Sequence, residues 1–228
     1  MHGGIVMSSL KNIKVSNQMP IDLAKKIGIN GVNEILLIFW TSFNDLLLEN
    51  SKDIDLSSEE DDITQLWYMK LTKRWDSRNR ATVIALNNLI PMNQYADSTL
   101  KIRKGVKSPT IDFCFRDWST QNSYFGAECK NLYKNNTKKI VRYVETGVQN
   151  YVKGRYGSQS SENAIIGYVL SGDIPTIVGE IEKEIKKEPV IMNLTRMLAI
   201  AEPQYKSQHI RDLDKENITL YHLFFDFT

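Results

Sequence analysis

Pro109-Thr110-Ile111-Asp112-Phe113-Cys114-Phe115, followed after a polar stretch by Tyr124-Phe125-Gly126-Ala127-Glu128-Cys129-Lys130, decides how the chain is read. The apolar runs 111–115 and 124–129 have the aromatic and β-branched content of neighbouring strands, and 116–123 is the polar connection between them. Side chains alternate across a strand, so Ile111, Phe113 and Phe115 should share one face and Asp112 and Cys114 the other. On the second strand Gly126, Glu128 and Lys130 point together, opposite Phe125, Ala127 and Cys129. Each strand thus sets a carboxylate among core-forming neighbours, and the second adds an ammonium roughly 6.6 Å further along the same face. Buried carboxylates are costly unless they are paired or bound to a metal. Two carboxylates and a lysine converging on one spot describe a site for a hard cation with a lysine beside it.

Composition sets the class. The 228 residues suffice for one compact domain with a substantial core, and 42% hydrophobic with 25% charged residues is the balance of an ordinary globular protein. The longest apolar run, 35–40, is far short of the ~20 residues that cross a bilayer. The opening Met-His-Gly-Gly has no basic segment followed by a long apolar one, so a secretory signal is not expected and a cytoplasmic location is. Cys114 and Cys129 read as reduced thiols packed as small hydrophobes. Zinc needs more ligands than two cysteines and the scattered His2, His209 and His222 supply. The net charge is only +2, but residues 101–155 carry twelve Lys/Arg against four Asp/Glu. The remainder, out of 29 basic and 27 acidic residues, is 17 against 23, so a segment of net +8 faces a remainder of net −6. Two of the four acids in the basic segment are Asp112 and Glu128, so the positive charge gathers where phosphates would approach.

Asp112 and Glu128-Cys129-Lys130, sixteen residues from Asp to Glu, resemble the signature of the PD-(D/E)XK nuclease superfamily, the restriction-endonuclease-like fold. That signature is an Asp at the start of one core strand and Glu-X-Lys on the next; here Pro109 lies three positions before Asp112 instead of adjoining it. The resemblance implies a mixed central sheet flanked by helices, a metal held by Asp112, Glu128 and the Cys129 backbone carbonyl, and catalysis by Asp112, Glu128 and Lys130. It also implies an acidic residue near the metal from the helix before the sheet, for which Glu60, sharing a face with Ile63 and Trp67, is the candidate and Glu59 the second choice. A subgroup of the superfamily carries Gln-x-x-x-Tyr after the Glu-X-Lys; the fourth residue after Gln149 is Lys153, and Tyr151 and Tyr156 are out of register.

Along the chain, 1–56 reads as an N-terminal arm and helical extension and 57–228 as the nuclease-like core. Residues 1–19 are polar and without period. A short helix over 20–27 is broken by Gly28 and Gly31, and 32–49 is so apolar that it reads as a buried or dimer-forming helix. Ser57 with Glu60 three residues on has the form of a capping box, followed by an acidic first turn and the stripe Ile63, Leu66, Trp67, Leu71, Trp75. Strands are expected over 83–90 and 98–104, one of them opening a meander that leads into 111–115. A helix over 138–152 carries Ile140, Val141, Val144, Val148 and Tyr151 inward. Its Lys138, Lys139 and Arg142, with Gln149, Lys153 and Arg155, are the candidate nucleic-acid contacts. Residues 154–163 read as an exposed Gly/Ser-rich loop, 164–170 as a strand buried on both sides, and 174–187 as an amphipathic helix. Residues 190–202 are ambiguous, 205–217 polar, and 220–227 a closing strand. His209 and Arg211 are read as ordinary surface residues or, at most, contacts to phosphate.

Chemistry follows from the donor set. Magnesium takes oxygen ligands and is commonly held by one or two carboxylates plus waters and substrate phosphate, and Mn²⁺ can replace it. A bound divalent ion lowers the pKa of its water and neutralises phosphoryl charge, while Lys130 would orient the water and stabilise the developing charge. A Mg²⁺-dependent deoxyribonuclease, an endonuclease sooner than an exonuclease, with an anti-phage or restriction effector as the role considered, is the expectation. The alternative is a non-catalytic nucleic-acid-binding or assembly subunit of the same fold. RNA stays open as substrate because the site reads phosphate and not sugar. Cutting both strands would want two sites, hence a homodimer with 32–49 as one interface, and a defence-system partner protein is the other partner considered. No phosphate-binding Gly-rich loop and no nucleophilic Ser or Cys motif is present.

Overall fold

The computed structural model describes residues 22–97, 108–117, 123–186, 195–196 and 204–228. The segments 1–19, 98–104 and most of 190–202, for which the sequence raised expectations, lie outside them. Among the described residues seven strands form one mixed sheet in the order β1-β2-β3-β4-β7-β6-β5, six of substantial length and a two-residue edge. β1 (Leu89–Ala96), β2 (Thr110–Asp117) and β3 (Tyr124–Tyr133) are an antiparallel meander. β4 (Glu162–Ser171) runs parallel to β3 and β7 (Asn217–Asp226) parallel to β4, while β6 (Gln204–Ile210) and β5 (Thr195–Arg196) return antiparallel. The architecture is α/β, with helices on both faces of the sheet and an N-terminal helix.

One face is covered by α1 (Leu23–Asn50) and α2 (Glu60–Ser77). The apolar run in α1 is spent inside the chain: Val32, Ile35, Leu36, Phe39, Trp40, Phe43 and Leu46 pack on α2 and on Phe113, Phe125, Leu223 and Phe225 of the sheet. Residues 22–56 therefore share the core of the segment that follows. Gly28 does interrupt the helix, as a kink with φ 66° that glycine adopts without a Cβ penalty, whereas Gly31 is accommodated within it. The sequence-based capping box at Ser57 does not form. Glu59 is the N-cap of α2, and Ser57 and Ser58 instead close a turn on Asp55. The Glu60 carboxylate that would have completed the box is engaged elsewhere, as described below.

The opposite face is covered by a continuous run of three helical pieces, α3 (Thr137–Arg142), a π-helical segment (Tyr143–Val148) and α4 (Gln149–Val152), and by α5 (Ile174–Ile185). Ile177, Val178, Ile181 and Ile185 of α5 are buried as their spacing indicates, and Asp173 caps its first turn by accepting from the Thr176 N–H at 2.9 Å. β4 lies at the centre with both faces buried, which explains its unbroken apolar sequence.

Several expectations are corrected. Residues 83–88 are a loop with a 3₁₀ turn, Ile84–Leu86, and the strand begins only at Leu89. The polar stretch from 205 is β6, whose inward Ser207 and His209 are buried polar residues. The Gly/Ser-rich loop 154–163 is largely buried: Gly157 N–H donates to the Tyr124 hydroxyl at 2.7 Å, and Arg211 donates to the Gly157 and Ser160 carbonyls at 2.7 and 3.0 Å. Ile111 packs with Cys114 in the second core while Phe113 and Phe115 face the first, so the alternation of β2 is interrupted at Asp112. No helix among the described residues is long and apolar enough to cross a membrane.

Trp67 is the junction of α1, α2 and the sheet. Its ring meets Phe39, Phe43, Phe113, Tyr168 and Phe225, and its Nε1–H donates to Ser42 Oγ at 2.8 Å. Trp67→Ala should cost about 3–5 kcal/mol in urea unfolding, the range for removing a large aromatic from a packed core, with Trp67→Phe costing less.

Candidate functional site

The site forms where β2 and β3 part. Their ladder pairs Arg116 with Tyr124 through Phe113 with Ala127 and ends there, just before Asp112 and Glu128. Beyond that point a side chain replaces the backbone acceptor: Asp112 Oδ2 takes the Cys129 N–H at 2.7 Å. Asp112 Oδ1 accepts from the Gln94 side-chain amide of β1 at 3.1 Å. Lys130 folds back along its own strand, donating to Glu128 Oε1 at 2.7 Å and to the Cys129 carbonyl. The same ammonium donates to Glu60 Oε1 at 3.0 Å, and Glu60 Oε2 accepts the Asn131 N–H at 3.2 Å. The first turn of α2 is therefore fastened to β3 through Glu60. Asn131 reinforces the junction by donating from Nδ2 to the Ser58 carbonyl at 3.0 Å.

Asp112, Glu128 and Lys130 are respectively 7%, 6% and 3% exposed, so their charges interact with little screening from water. Burial pushes the Asp112 carboxyl up to about 6 despite the Lys130 charge and the Cys129 N–H. Glu128 is pushed up to about 8, by burial and then by the Asp112 charge. Burial alone would lower Lys130, but Glu128, Glu60 and Asp112 outweigh it and hold the ammonium above its ordinary range. Lys130 is thus a fixed cation at neutral pH.

The donor set suits a hard cation. Glu128 Oε2 is buried with no hydrogen-bond partner, and it lies in the field of the Asp112 carboxylate. The Lys130 ammonium already sits among three oxygens, from Glu128, Glu60 and Cys129, which is oxygen coordination of a positive charge. Among the described residues no three His, Cys, Asp or Glu side chains form a ready protein cage. Magnesium does not require one, because water and phosphate oxygens usually complete its octahedron.

All three residues singled out by the strand pattern are brought together, and Glu60 joins them. Glu59, the second choice, is the exposed N-cap of α2. Cys129 turns its thiol away, accepting from the Tyr168 hydroxyl at 3.0 Å, and leaves only its backbone at the site. Lys138, Arg142, Lys153 and Arg155 are exposed and Lys139 half-buried, whereas Gln149 is buried beneath them. His209 and Arg211 are corrected from surface to interior, 2% and 4% exposed. Arg211 grips Asp214 as well as the buried loop. His209 and His222 share Ser207 Oγ, each at 2.7 Å, and His222 Nδ1 is 2.8 Å from the Tyr143 hydroxyl. Burial lowers His209 to about 4, and burial with its His209 neighbour lowers His222 to about 3, so both are neutral structural groups.

Sequence reasoning missed Gln94, Asn131 and Tyr156. The Tyr156 hydroxyl is pushed up to about 12 by burial and then by the Glu128 charge. Gln94 has φ 48°, the left-handed region, in the middle of a strand. Such a conformation costs a non-glycine residue roughly 1–2 kcal/mol. Asn93↔Phe113 and Tyr95↔Ile111 keep one register across it, so no inserted residue accounts for the turn of the backbone.

No family model matches the chain, and no curated protein or solved structure gives a significant match to it.

The raised Glu128 has a measurable consequence. Between its ordinary 4.5 and about 8 the folded chain holds a proton on this carboxyl that the unfolded chain has released, so the contribution of Glu128 to stability falls as pH rises through that window. Glu128→Gln removes this dependence. Between pH 6.5 and 8 the variant should gain about 2 kcal/mol relative to wild type, one pH unit of a single extra proton being worth about 1.4 kcal/mol. Chemical denaturation of both proteins across that range checks it; parallel pH curves would contradict the burial argument.

Proposed function

We propose that this chain is a metal-dependent nuclease of the PD-(D/E)XK, restriction-endonuclease-like type, hydrolysing phosphodiester bonds of DNA. One observation carries the reading: Asp112, Glu128 and Lys130 converge at the gap between β2 and β3, with a buried Glu128 oxygen left without a partner. The mixed sheet flanked by helices supports it, with a meander leading into the Glu-X-Lys strand and a helical crossover to a parallel neighbour.

In this reading Asp112, Glu128 and the Cys129 carbonyl hold the cation, and Glu60 is a further carboxylate within reach through Lys130. Mg²⁺, or Mn²⁺ in its place, supplies Lewis acidity and an acidified water when bound. Lys130 keeps its proton, so it serves as hydrogen-bond donor and counter-charge rather than as a base. It orients the attacking water and stabilises the negative charge that develops on the phosphoryl oxygens. Lys138, Lys139, Arg142, Lys153 and Arg155 supply the sequence-independent attraction for the backbone phosphates. RNA, whose phosphates are the same, is the comparison substrate. A cytoplasmic anti-phage or restriction role, with a homodimer or a defence-system partner, belongs to this proposal.

A non-catalytic nucleic-acid-binding subunit is the second reading, favoured by one observation: none of the three central residues is more than 7% exposed. Plasmid and linear DNA incubated with Mg²⁺, Mn²⁺ or EDTA separates the two. A nuclease cleaves with metal and stops with EDTA; a binding subunit retards DNA without cutting it under any of these conditions. Lys130→Ala should lower the cleavage rate by ~10²–10³, the cost of losing one preorganised charge donor. Circular dichroism and melting must show that the variant is folded, and unchanged metal-dependent cleavage by it would sink the assignment.

A further inference from the structure

We infer that Gln94 is a positioning residue that holds Asp112 in the orientation its chemistry requires, an inference that rests on the proposed reading of Asp112 and Glu128 as cation ligands. Asp112 is poorly supported by its own sheet. On the β3 side the ladder stops one pair before it, at Phe113↔Ala127. On the β1 side the paired residues are Asn93↔Phe113 and Tyr95↔Ile111, and the Gln94 position between them, opposite Asp112, is not part of the ladder. Its carboxylate is fixed by one hydrogen bond from each neighbouring strand, Cys129 N–H on Oδ2 at 2.7 Å and the Gln94 amide on Oδ1 at 3.1 Å. Removing the second leaves the carboxylate held from one side only.

The backbone at Gln94 argues the same way. A glutamine at φ 48° in a strand is sparsely populated, and no shift in register demands it. Such outliers persist where surrounding contacts over-determine them, and they gather at functional sites. Such contacts stand just before it in β1: Asn93 donates to Gln65 of α2 at 2.6 Å, and Tyr68 of α2 donates to the Pro91 carbonyl at 3.1 Å. β1 is thus tied to α2, the helix that also presents Glu60. Gln94 is itself exposed, so the amide reaches a buried carboxylate from the rim of the site. An exposed glutamine contributes little to the core, which separates this role from a structural one.

The probe is Mn²⁺ alone, with its dissociation constant measured by titration calorimetry on the full chain, alongside melting of the metal-free proteins. Wild type, Asp112→Asn, Gln94→Ala and Gln94→Gly are compared. Wild type should bind Mn²⁺ and Asp112→Asn should not. Gln94→Ala and Gln94→Gly should bind about tenfold more weakly, the lower end of the effect of losing a group that orients a metal ligand. Gln94→Gly, relieved of the left-handed constraint, should melt at or above the wild-type temperature, so that affinity and stability move apart. Wild-type affinity in both Gln94 variants, with Asp112→Asn still defective, overturns the role of Gln94 and leaves the metal site standing. Affinity lost only in step with melting temperature overturns it as well. Failure of wild type to bind Mn²⁺ in a manner that depends on Asp112 overturns both this inference and the reading beneath it.

Discussion

Two carboxylates taken out of water side by side are the constraint to which the rest of this protein answers. Burial raises the cost of ionising both, the Asp112 charge adds to that of Glu128, and a hydrophobic core on each face of the sheet leaves little solvent to relieve them. The chain meets the cost locally. An ammonium two residues along the same strand folds back onto Glu128, a backbone N–H freed by the end of the ladder meets Asp112, and α2 brings Glu60 to share the ammonium. Each response needs a different element, so the site depends on the whole arrangement of β1, β2, β3 and α2.

The aromatic core links that arrangement to the fold. Trp67 sits two turns along α2 from Glu60, wedged between α1 and the sheet aromatics Phe113 and Phe225. The ring thus anchors to α1 and the sheet the same helix whose first turn presents Glu60 to Lys130. Thr64, between them, accepts or donates across to Tyr168 at 2.9 Å, and Tyr168 in turn touches the Cys129 thiol. Packing on one face of the sheet thereby sets polar geometry at its end.

Much of this was legible in residue order, where burial is apolar and periodic. β2, β3, β4, β7 and α5 announce themselves by alternation, by unbroken apolar runs or by helical spacing, and the two acids with Lys130 stand out because they interrupt such runs. What could not be read has a common cause: polar atoms buried against other polar atoms. β6 looks like a polar stretch because its inward Ser207 is the hydrogen-bond partner of both His209 and His222. The segment 154–163 has the composition of a surface loop, yet Tyr124 and Arg211, distant in sequence, supply its backbone with partners. Ser57 has the spacing of a capping box, but Glu60 finds a stronger partner in Lys130. Gln94 left no trace, since nothing in a residue's type foretells that its backbone will turn left-handed.

The π-helical segment Tyr143–Val148 joins α3, with Lys138, Lys139 and Arg142, to α4, after which come Lys153 and Arg155. A π-turn holds one residue more than the α-turn it replaces, and one residue is worth about 100° of rotation around a helix axis. The angular offset between the basic residues of α3 and Lys153, the C-cap of α4, is therefore set by a single residue's worth of winding, inside a run whose Tyr143, Val144 and Val148 remain buried throughout. Shortening the segment by one residue would rotate Lys153 relative to the α3 residues while leaving every charge in place. The direction in which the basic surface faces is in this sense an indel-sized property, adjustable without altering its charge.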